Sequence, residues 1–504
     1  MKQKIYKIIL LFIVGLAIVL RFSQSFWRRD FWYDEAFTGI ITRMSWSEMW
    51  WMIFHDVHPP LYYYLLKPWS ALFHYSLFGF RSFSVLFGLL SILSVYWIGK
   101  KIFSNKVGLL SALLMTVSPF AVQYSQEARM YALFGFISLW LTYFFIKALE
   151  TNRWKYWFGW GVIGVAFLYT HYLALFTFVV FYLIALIYQF LFLKAKDDKM
   201  FIKKSWQKIF ISGKFLGATG IIVIAFVLWL PALKQHLSRE GLGWVPVVYF
   251  SEIPQTLQFF FYGHQPGKIL EPIPNQFNNL KVSLSQEGAG NLFDGASLGL
   301  VLLLIIVVGI ISLWRRGRYR KEIFVLGGLS FGVLVFLILL SQIGWRFYVA
   351  RYFMATAVLF YLLLAVIIAD WKFRWRLLFL GIYFLTLFWL KPIPYDAAWT
   401  GIYKDRELVD DRTVVVADNA FEYATARFHF GEGRVKLYNR GEPEQDFSLW
   451  IIVKPEDQIT ELDDYLNNQK AIFVGAGDCD WNQYKLRPLK KVGRLQVCGK
   501  EAKK

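Results

Sequence analysis

The protein has 504 residues, of which 57% are hydrophobic and 20% aromatic, and its formal net charge is +20. A soluble chain of this length would contain far fewer long apolar runs, so the composition excludes an ordinary soluble protein and indicates a polytopic membrane protein. The charge does not indicate a nucleic-acid binder. Residues 1–390 carry a net +21 and residues 391–504 a net −1, so the basic excess belongs to the apolar part of the chain.

The N-terminal apolar run resembles a signal peptide, but it is long and no Ala-x-Ala-like site follows it, which favours a retained first span. Two carboxylates, Asp34 and Glu35, follow about a dozen residues later, directly after three aromatic residues. Aromatic rings mark a membrane surface and acids near a bilayer are costly, so this pair requires an explanation.

Eleven apolar runs predict about 11 transmembrane helices, near residues 7–22, 81–99, 107–122, 130–147, 158–170, 173–193, 215–233, 297–313, 322–341, 352–369 and 377–390. With the N-terminus in the cytoplasm, the inside segments carry 24 Lys and Arg residues, whereas the long outer loop 234–296 carries four. This bias predicts a multi-pass protein of the cytoplasmic membrane with its C-terminal domain outside.

The apolar segment 61–80 would invert every later loop if it were another span. We therefore expect residues 45–80 to form interfacial helices on the outer surface, with the second helix broken at Pro68. They belong to the first outer loop, residues 23–80.

Residues 391–504 predict a separate extracytoplasmic α/β domain. Buried strands are expected at residues 413–418, 434–439, 448–454 and 471–477, with helices at 419–428 and 456–468. Cys479 and Cys498 lie in this domain, where they either form one disulfide or stay free thiols.

Candidate site residues converge on the outer side in this topology. They are Asp34, Glu35, Asp56 and His58 in the first outer loop, Gln126, Glu127, Arg129 and Tyr131 in the next outer turn, and His171, His264, Arg346 and Arg351 beyond it. A pore would need polar residues through the bilayer, and few charges fall in mid-span. The pattern favours a catalytic cavity at the outer surface.

Each candidate also has a structural explanation. His171 is compatible with a packing residue, Asp56 with a cap or turn before Pro59, and Gln126 with Glu127 as caps of the fourth span. The outer arginines oppose the positive-inside bias, although an Arg can also extend to the outer headgroups.

WYDEAFT followed by HDVHPPLYYYL resembles the first outer loop of protein O-mannosyltransferases and their bacterial relatives in glycosyltransferase family 39, which are GT-C-type enzymes. SPFAVQYSQEARMYAL and ARYFMATAVLFYLLLA are similar to the same group, which includes bacterial aminoarabinose transferases. The resemblance covers residues 1 to about 370. The outer loop of about 60 residues is too short for the β-trefoil-type domain of the eukaryotic enzymes, so the resemblance supports the reaction type better than the acceptor.

The resemblance implies transfer of a sugar from a polyprenyl-phosphate donor to an acceptor hydroxyl, with inversion. Asp34 is the expected general base, and Glu35 a tuner of its pKa, an acceptor ligand or a metal ligand. Arg129, Arg346 and Arg351 are expected to bind the donor phosphate, and His58 either to bind it or to orient the loop. The residues expected to bind substrate are Asp56, Gln126, Glu127, Tyr131, His171 and His264.

The expected partners are the polyprenyl-phosphate sugar, a protein, lipid or glycan acceptor, and membrane lipid, without nucleic acid. No cofactor is certain, and a divalent cation at Asp34 and Glu35 stays open. The alternative functions are a flippase or transporter of lipid-linked sugars, which would need polar mid-bilayer residues, and a scaffold that presents the C-terminal domain.

Overall fold

Long helices make up most of the computed structural model. It describes residues 2–23, 26–27, 29–192, 212–237, 245–263, 295–389, 398–405, 407–438, 452–453, 455–459, 471–475, 486–492 and 495–500. The helices before the long loop are α1 Lys2–Arg21, α2 Tyr33–Arg43, α3 Trp46–His55, α4 Leu61–Leu72, α5 Leu77–Ile102, α6 Asn105–Val117, α7 Pro119–Ser125, α8 Tyr131–Thr151, α9 Trp154–Leu168, α10 Leu173–Phe192 and α11 Gly213–Leu237. Those that follow are α12 Glu252–Tyr262, α13 Gly295–Arg315, α14 Arg320–Gln342, α15 Met354–Asp370, α16 Phe373–Trp389 and α17 Ala398–Lys404.

The prediction of a membrane protein with many spanning helices is confirmed. Within the described residues, eight helices are long and apolar enough to cross a membrane, or nine if the bent pair α6 and α7 is one span. The two other predicted spans fall on α9, with 15 residues, and α16, with 17 described residues. The chain is therefore a multi-pass membrane protein.

The bend between α6 and α7 shapes one end of the bundle. The predicted span 107–122 turns by 67° at Ser118 and Pro119. Ser118 is extended, with ψ of 119°, because the ring of Pro119 disfavours a helical conformation in the preceding residue, and its hydroxyl caps α7. The bend carries the following turn, residues 126–130, across the end of α1.

The first loop folds into the short helices α2, α3 and α4. A capping box between Ser45 and Glu48 begins α3. The expected break at Pro68 is wrong, because α4 continues through Pro68 to Leu72. Buried packing of this helix outweighs the lost backbone hydrogen bond, and the Lys67 ammonium holds it against the carbonyl oxygens of Thr42 and Met44.

The C-terminal part contains a six-stranded sheet of order β3-β2-β1-β4-β6-β5. Its strands are β1 Val414–Ala417, β2 Val435–Tyr438, β3 Gln458–Ile459, β4 Ala471–Gly475, β5 Leu486–Val492 and β6 Leu495–Lys500. The first four in spatial order pair in parallel, whereas β6 runs antiparallel to β4 and to β5. Val415 pairs with Val435 on one side and Ile472 on the other, so β1 is central.

The α/β prediction is confirmed for this region. Helix α18, Ala420–Phe430, begins at the capping side chain of Asn419 as expected. The expected helix at 456–468 is wrong at its start, where a 3-10 turn leads into β3, and its residues 460–468 lie outside the described residues. The expected strand 448–454 is described only at residues 452–453, which are not in a strand.

The domain boundary at residue 390 also lies outside the described residues. Cys498 is disulfide-bonded, so the free-thiol alternative fails for it. Cys479 is outside the described residues.

Candidate functional site

Glu35 is a buried acid with several hydrogen-bond donors, at the end of the bundle where the first loop lies. It is completely buried, and Arg81 donates to both of its carboxylate oxygens, from Nε to Oε1 at 3.0 Å and from Nη2 to Oε2 at 2.9 Å. The backbone N–H of Ala128 donates to Oε1 at 2.8 Å. Burial acts to raise the pKa of Glu35, but Arg81, Arg29 and Ala128 hold it below its ordinary value, so the group stays ionised.

Arg81 is the residue that sequence reasoning missed. Besides binding Glu35, its guanidinium donates at 2.7–2.9 Å to the backbone carbonyls of Phe26, Arg29 and Asp30. These hydrogen bonds hold the beginning of the first loop against α5. A signal was present, since an Arg at this end of a span opposes the positive-inside bias.

Asp34 is the neighbour of Glu35 with a different environment. Its side chain is 17% exposed, and its Oδ2 lies 4.0 Å from Nη2 of Arg351. Its backbone carbonyl accepts from Nη1 of Arg129 at 3.3 Å and from the Thr38 hydroxyl at 2.9 Å. Within the described part of the chain this carboxylate has one ionic contact, so it can accept a proton from a molecule bound beside it.

Arg129 joins the first loop to the turn before α8. It is almost fully buried, and its Nη1 donates to the Asp34 carbonyl, to Thr38 at 3.1 Å and to Tyr63 at 3.4 Å. Its Nη2 donates to Nε2 of His58 at 2.8 Å. A guanidinium only donates, so Nε2 of His58 accepts and the imidazole is neutral.

The proton of His58 is on Nδ1, which donates to Oδ2 of Asp56 at 2.9 Å. Asp56 is fully buried at the C-cap of α3, where burial acts to raise its pKa but His58 and neighbouring donors lower it below the ordinary value. Asp56, His58 and Arg129 thus form a hydrogen-bonded chain. Because both ring nitrogens of His58 are used, the geometry favours its orienting role, and phosphate binding by His58 stays a prediction.

Gln126 ties the same turn to the end of α1. Its Nε2 donates to the backbone carbonyls of Leu20 and Arg21 at 3.1 and 3.0 Å, and to the hydroxyl of Ser23 at 3.1 Å. These contacts hold the amide nitrogen in the protein interior. Substrate binding by Gln126 therefore stays a prediction for which the geometry offers no direct support.

Glu127 follows it and is 4% exposed. Its Oε1 lies 3.7 Å from Nη1 of Arg29 and accepts a long hydrogen bond of 3.5 Å from Gln123, whereas Oε2 has no hydrogen-bond partner within the described residues. Burial, only partly opposed by Arg29, raises the pKa of Glu127 to about 7. This carboxyl can change its protonation state near neutral pH.

Arg351 and four rings form a wall beside Asp34. The guanidinium carbon of Arg351 lies 5.3 Å from the ring centre of Trp32 and 5.6 Å from that of Tyr352. His171 packs against Tyr352 at 4.6 Å between ring centres, and Tyr131 lies 6.3 Å from both rings. Burial, with nearby cationic groups, holds the pKa of His171 well below its ordinary value, so His171 is neutral.

The structure therefore brings ten of the twelve predicted site residues into one cluster. Arg346 is partly exposed in the loop before Arg351, and no contact within the described residues joins it to the cluster. His264 lies outside the described residues. No group of three His, Cys, Asp or Glu side chains is placed to hold a metal in the part of the chain that the structure describes. Because Arg81 and Ala128 bind the buried Glu35 carboxylate, Asp34 is the member of the acid pair that is partly exposed.

The C-terminal region also reaches the first loop, which the sequence did not indicate. The Asp30 carboxylate accepts from the backbone N–H of Trp399 at 2.7 Å and of Thr400 at 3.1 Å. Arg43 donates to the carbonyl of Phe428 at 3.3 Å and lies 4.2 Å from its ring centre. Helix α2 is therefore held between the bundle and α18.

Comparison with known proteins supports this architecture. Residues 57–229 match the family model described as dolichyl-phosphate-mannose-protein mannosyltransferase. No curated protein sequence matches the chain.

Two solved structures of ArnT from Cupriavidus metallidurans, one bound to undecaprenyl phosphate and one in the apo state, are similar over 97% of both chains, with TM-scores of 0.59 and 12% identity. The oligosaccharyltransferase of Archaeoglobus fulgidus, in a complex with Zn and sulfate, matches 93% of this chain and 67% of its own, with a TM-score of 0.48 and 12% identity. The matched segment contains the loop of His58 and the turn of Arg129, and the ArnT likeness extends over the bundle and the C-terminal sheet. The chain is a multi-pass membrane protein with the fold of the GT-C-type membrane glycosyltransferases.

Proposed function

We propose that this protein transfers a sugar from a polyprenyl-phosphate donor to an acceptor hydroxyl at the outer face of the cytoplasmic membrane, with inversion at the anomeric carbon. The observation that carries the proposal is the partly exposed Asp34 carboxylate, which faces Arg351 at 4.0 Å beside the buried Arg129. A base next to two fixed cations suits a reaction in which a hydroxyl loses a proton and a phosphate leaves.

The donor class is supported by the lipid phosphates that similar proteins use or bind. The matching family model names a dolichyl-phosphate sugar, and the ArnT structure holds undecaprenyl phosphate. Both are polyprenyl phosphates, whose lipid tail requires a membrane enzyme. The excess of Lys and Arg at the opposite loops supports an outward orientation of the Asp34 end.

The chemical step follows from the two charges. Asp34 takes the proton of the acceptor hydroxyl, whose oxygen forms a bond to the anomeric carbon. The bond from that carbon to the phosphate oxygen breaks, and its electron pair leaves with the phosphate. The cation of Arg351 stabilises this charge, so no strong general acid is needed.

An in-line displacement places the acceptor oxygen and the anomeric carbon between the base and the phosphate. The 4.0 Å contact between Asp34 and Arg351 must therefore open when the donor binds. Arg129 keeps Asp34 in position through its backbone carbonyl, while His58 and Asp56 hold Arg129. Tyr131, His171 and Glu127 border the same space and are proposed to contact the sugar or the acceptor.

The base is tested by Asp34→Asn, which keeps the size of the side chain and removes its basicity. We expect transfer from a labelled polyprenyl-phosphate sugar in membranes to fall by about 10²–10⁴-fold. Asp411→Asn, an exposed turn residue, is the control and should leave transfer unchanged. Undiminished transfer by a folded Asp34→Asn protein would remove Asp34 from this role, and transport of the donor without any transfer would favour the flippase.

The phosphate clamp is tested by a matched pair in one loop, Arg351→Lys and Arg346→Lys. Lysine keeps the charge but loses the planar, two-pronged donor geometry. We expect Arg351→Lys to weaken donor binding and Arg346→Lys to change it little, since Arg346 is not joined to the cluster within the described residues. Equal losses of donor affinity would include Arg346 in the clamp.

A further inference from the structure

A cavity of about 590 Å³ lies between α13, α15 and α16, at the end of the bundle opposite to Asp34. Its inner wall is apolar and includes Ile305, Gly309, Ile367, Phe379 and Ile382. A volume of this size is typical of small-molecule sites in proteins.

The cavity is separate from the site around Asp34. Arg351 is at the beginning of the candidate span that ends at Asp370, and Asp370 lines the cavity. Nineteen helical residues with a rise of 1.5 Å each separate the two by roughly 28 Å, close to the thickness of the hydrocarbon core.

The rim of the cavity is positively charged. Arg316 and Lys372 line it, and Arg318 stands beside it. Arg316 and Arg318 donate to the two oxygens of Asp370 at 2.8 and 2.5 Å, and more than half of each arginine side chain is exposed. The Lys372 ammonium has no hydrogen bond or ion pair within the described residues, so the rim carries three cations and one carboxylate.

Two other cations at this end already donate to backbone carbonyls. Lys106 donates to the carbonyl of Ala369 at 3.4 Å, and Arg376 donates to that of Trp371 at 3.2 Å. Trp371 and Trp375 also line the cavity, and Trp is enriched where a membrane meets water. The rim cations therefore face a boundary between an apolar wall and water.

We propose that this cavity binds an anionic phospholipid of the adjacent leaflet, with its phosphate at Arg316 and Lys372 and an acyl chain against the apolar wall. A small soluble anion would leave the apolar wall uncovered. A zwitterionic headgroup would bring an ammonium beside an already cationic rim. Basic pockets between membrane helices on the cytoplasmic side are suited to anionic headgroups, and the positive-inside bias assigns this end to that side. The inference does not depend on the proposed reaction.

The test measures binding of phosphatidylglycerol to the delipidated full-length protein in mixed micelles, by native mass spectrometry and by the shift in thermal unfolding. We expect phosphatidylglycerol to bind at least tenfold more tightly than phosphatidylcholine. The Arg316→Gln, Lys372→Gln double variant should lose at least tenfold of this affinity. Arg374→Gln is the matched control, because Arg374 is exposed next to Trp375 and does not line the cavity.

A second variant keeps the proposal testable if the double variant does not fold. Ile382→Trp places a larger side chain in the apolar part of the cavity and leaves the rim cations in place. It should therefore also weaken phosphatidylglycerol binding. Equal affinity of wild type and folded variants would overturn the proposal, as would equal affinity for the two lipids. Glycerol phosphate binding as tightly as the lipid would overturn it in favour of a simple anion site.

Discussion

Glu35 and Glu127 are two carboxyls of one site, equally removed from solvent, in opposite electrostatic environments. Glu35 accepts two hydrogen bonds from Arg81 and one from Ala128. Glu127 accepts one long hydrogen bond from Gln123, and only Arg29, at 3.7 Å, forms an ion pair with it in the described part of the chain. The pKa of Glu35 is below its ordinary value, whereas burial raises that of Glu127 to about 7.

The difference shows that burial alone does not decide what an acid does in this protein. Three donors offset the cost of burying Glu35, so it is charged at neutral pH and holds the loop in place. Glu127 has too few donors to offset the same cost, so its charge depends on pH. A buried carboxyl with a raised pKa near Glu35 and Arg351 is the kind of group that active sites contain.

Removing the charge of Glu35 should have the largest effect on the free energy of unfolding. Glu35→Gln leaves the buried Arg81 guanidinium without its counter-charge, and we expect the free energy of unfolding to fall by about 3–5 kcal/mol. Denaturant or thermal unfolding in detergent measures it. Glu150→Gln, which breaks the surface pair with Lys147, is the control and should cost at most about 0.5 kcal/mol. A Glu35→Gln protein as stable as wild type would show that the Arg81 contact does not hold the loop.

Glu127→Gln should raise the free energy of unfolding, and the increase should depend on pH. A carboxyl whose pKa is raised on folding opposes folding when it ionises. The cost is absent well below its ordinary pKa of 4.5, grows as pH rises, and is complete above about 7. We expect the variant to match wild type near pH 4 and to exceed it by up to about 3 kcal/mol at pH 8. Unfolding free energies across this range measure it, and parallel curves would contradict the unsatisfied environment of Glu127.

Arg29→Gln should have the smallest effect, and it sharpens the comparison because Arg29 lies 3.6 Å from Glu35 and 3.7 Å from Glu127. Glu35 keeps Arg81, so we expect the loss to appear at Glu127, as about 1 kcal/mol of further destabilisation at pH 8. A double-mutant cycle with Glu127→Gln measures this coupling. If the loss persists in the Glu127→Gln background, Arg29 acts mainly through Glu35.

The sequence predicted the membrane architecture and the residues of the candidate site better than the role of each one. Charge opposed to the positive-inside bias identified Arg129 and Arg351, and the HDVHPPL segment identified Asp56 and His58. The same reasoning placed Arg81 at the beginning of a span and did not connect it with Glu35, because a span pattern does not show which way a terminal arginine turns.

Long-range contacts were also beyond the sequence pattern. No periodicity relates Asp30 to Thr400, or Arg43 to Phe428, since each pair is separated by more than 350 positions. The sharp turn at Ser118 and Pro119 was hidden inside one apolar run, although the residue before a proline rarely stays helical. The hairpin of β5 and β6 was missed because β5, LRPLKKV, is rich in charged residues.

The docking of the C-terminal region on α2 sets an order of events during biosynthesis. Asp30 leaves the ribosome 369 residues before its partner Trp399. At roughly 5–20 residues per second, the first loop waits on the order of 20 s to a minute for residues that complete its packing. The spans are thus made well before the first loop has all its contacts. A chain released early could be inserted in the membrane but would lack the contacts with the C-terminal region. The contacts of Asp30 and Arg43 with the C-terminal region therefore form only after residues 399–428 have been made.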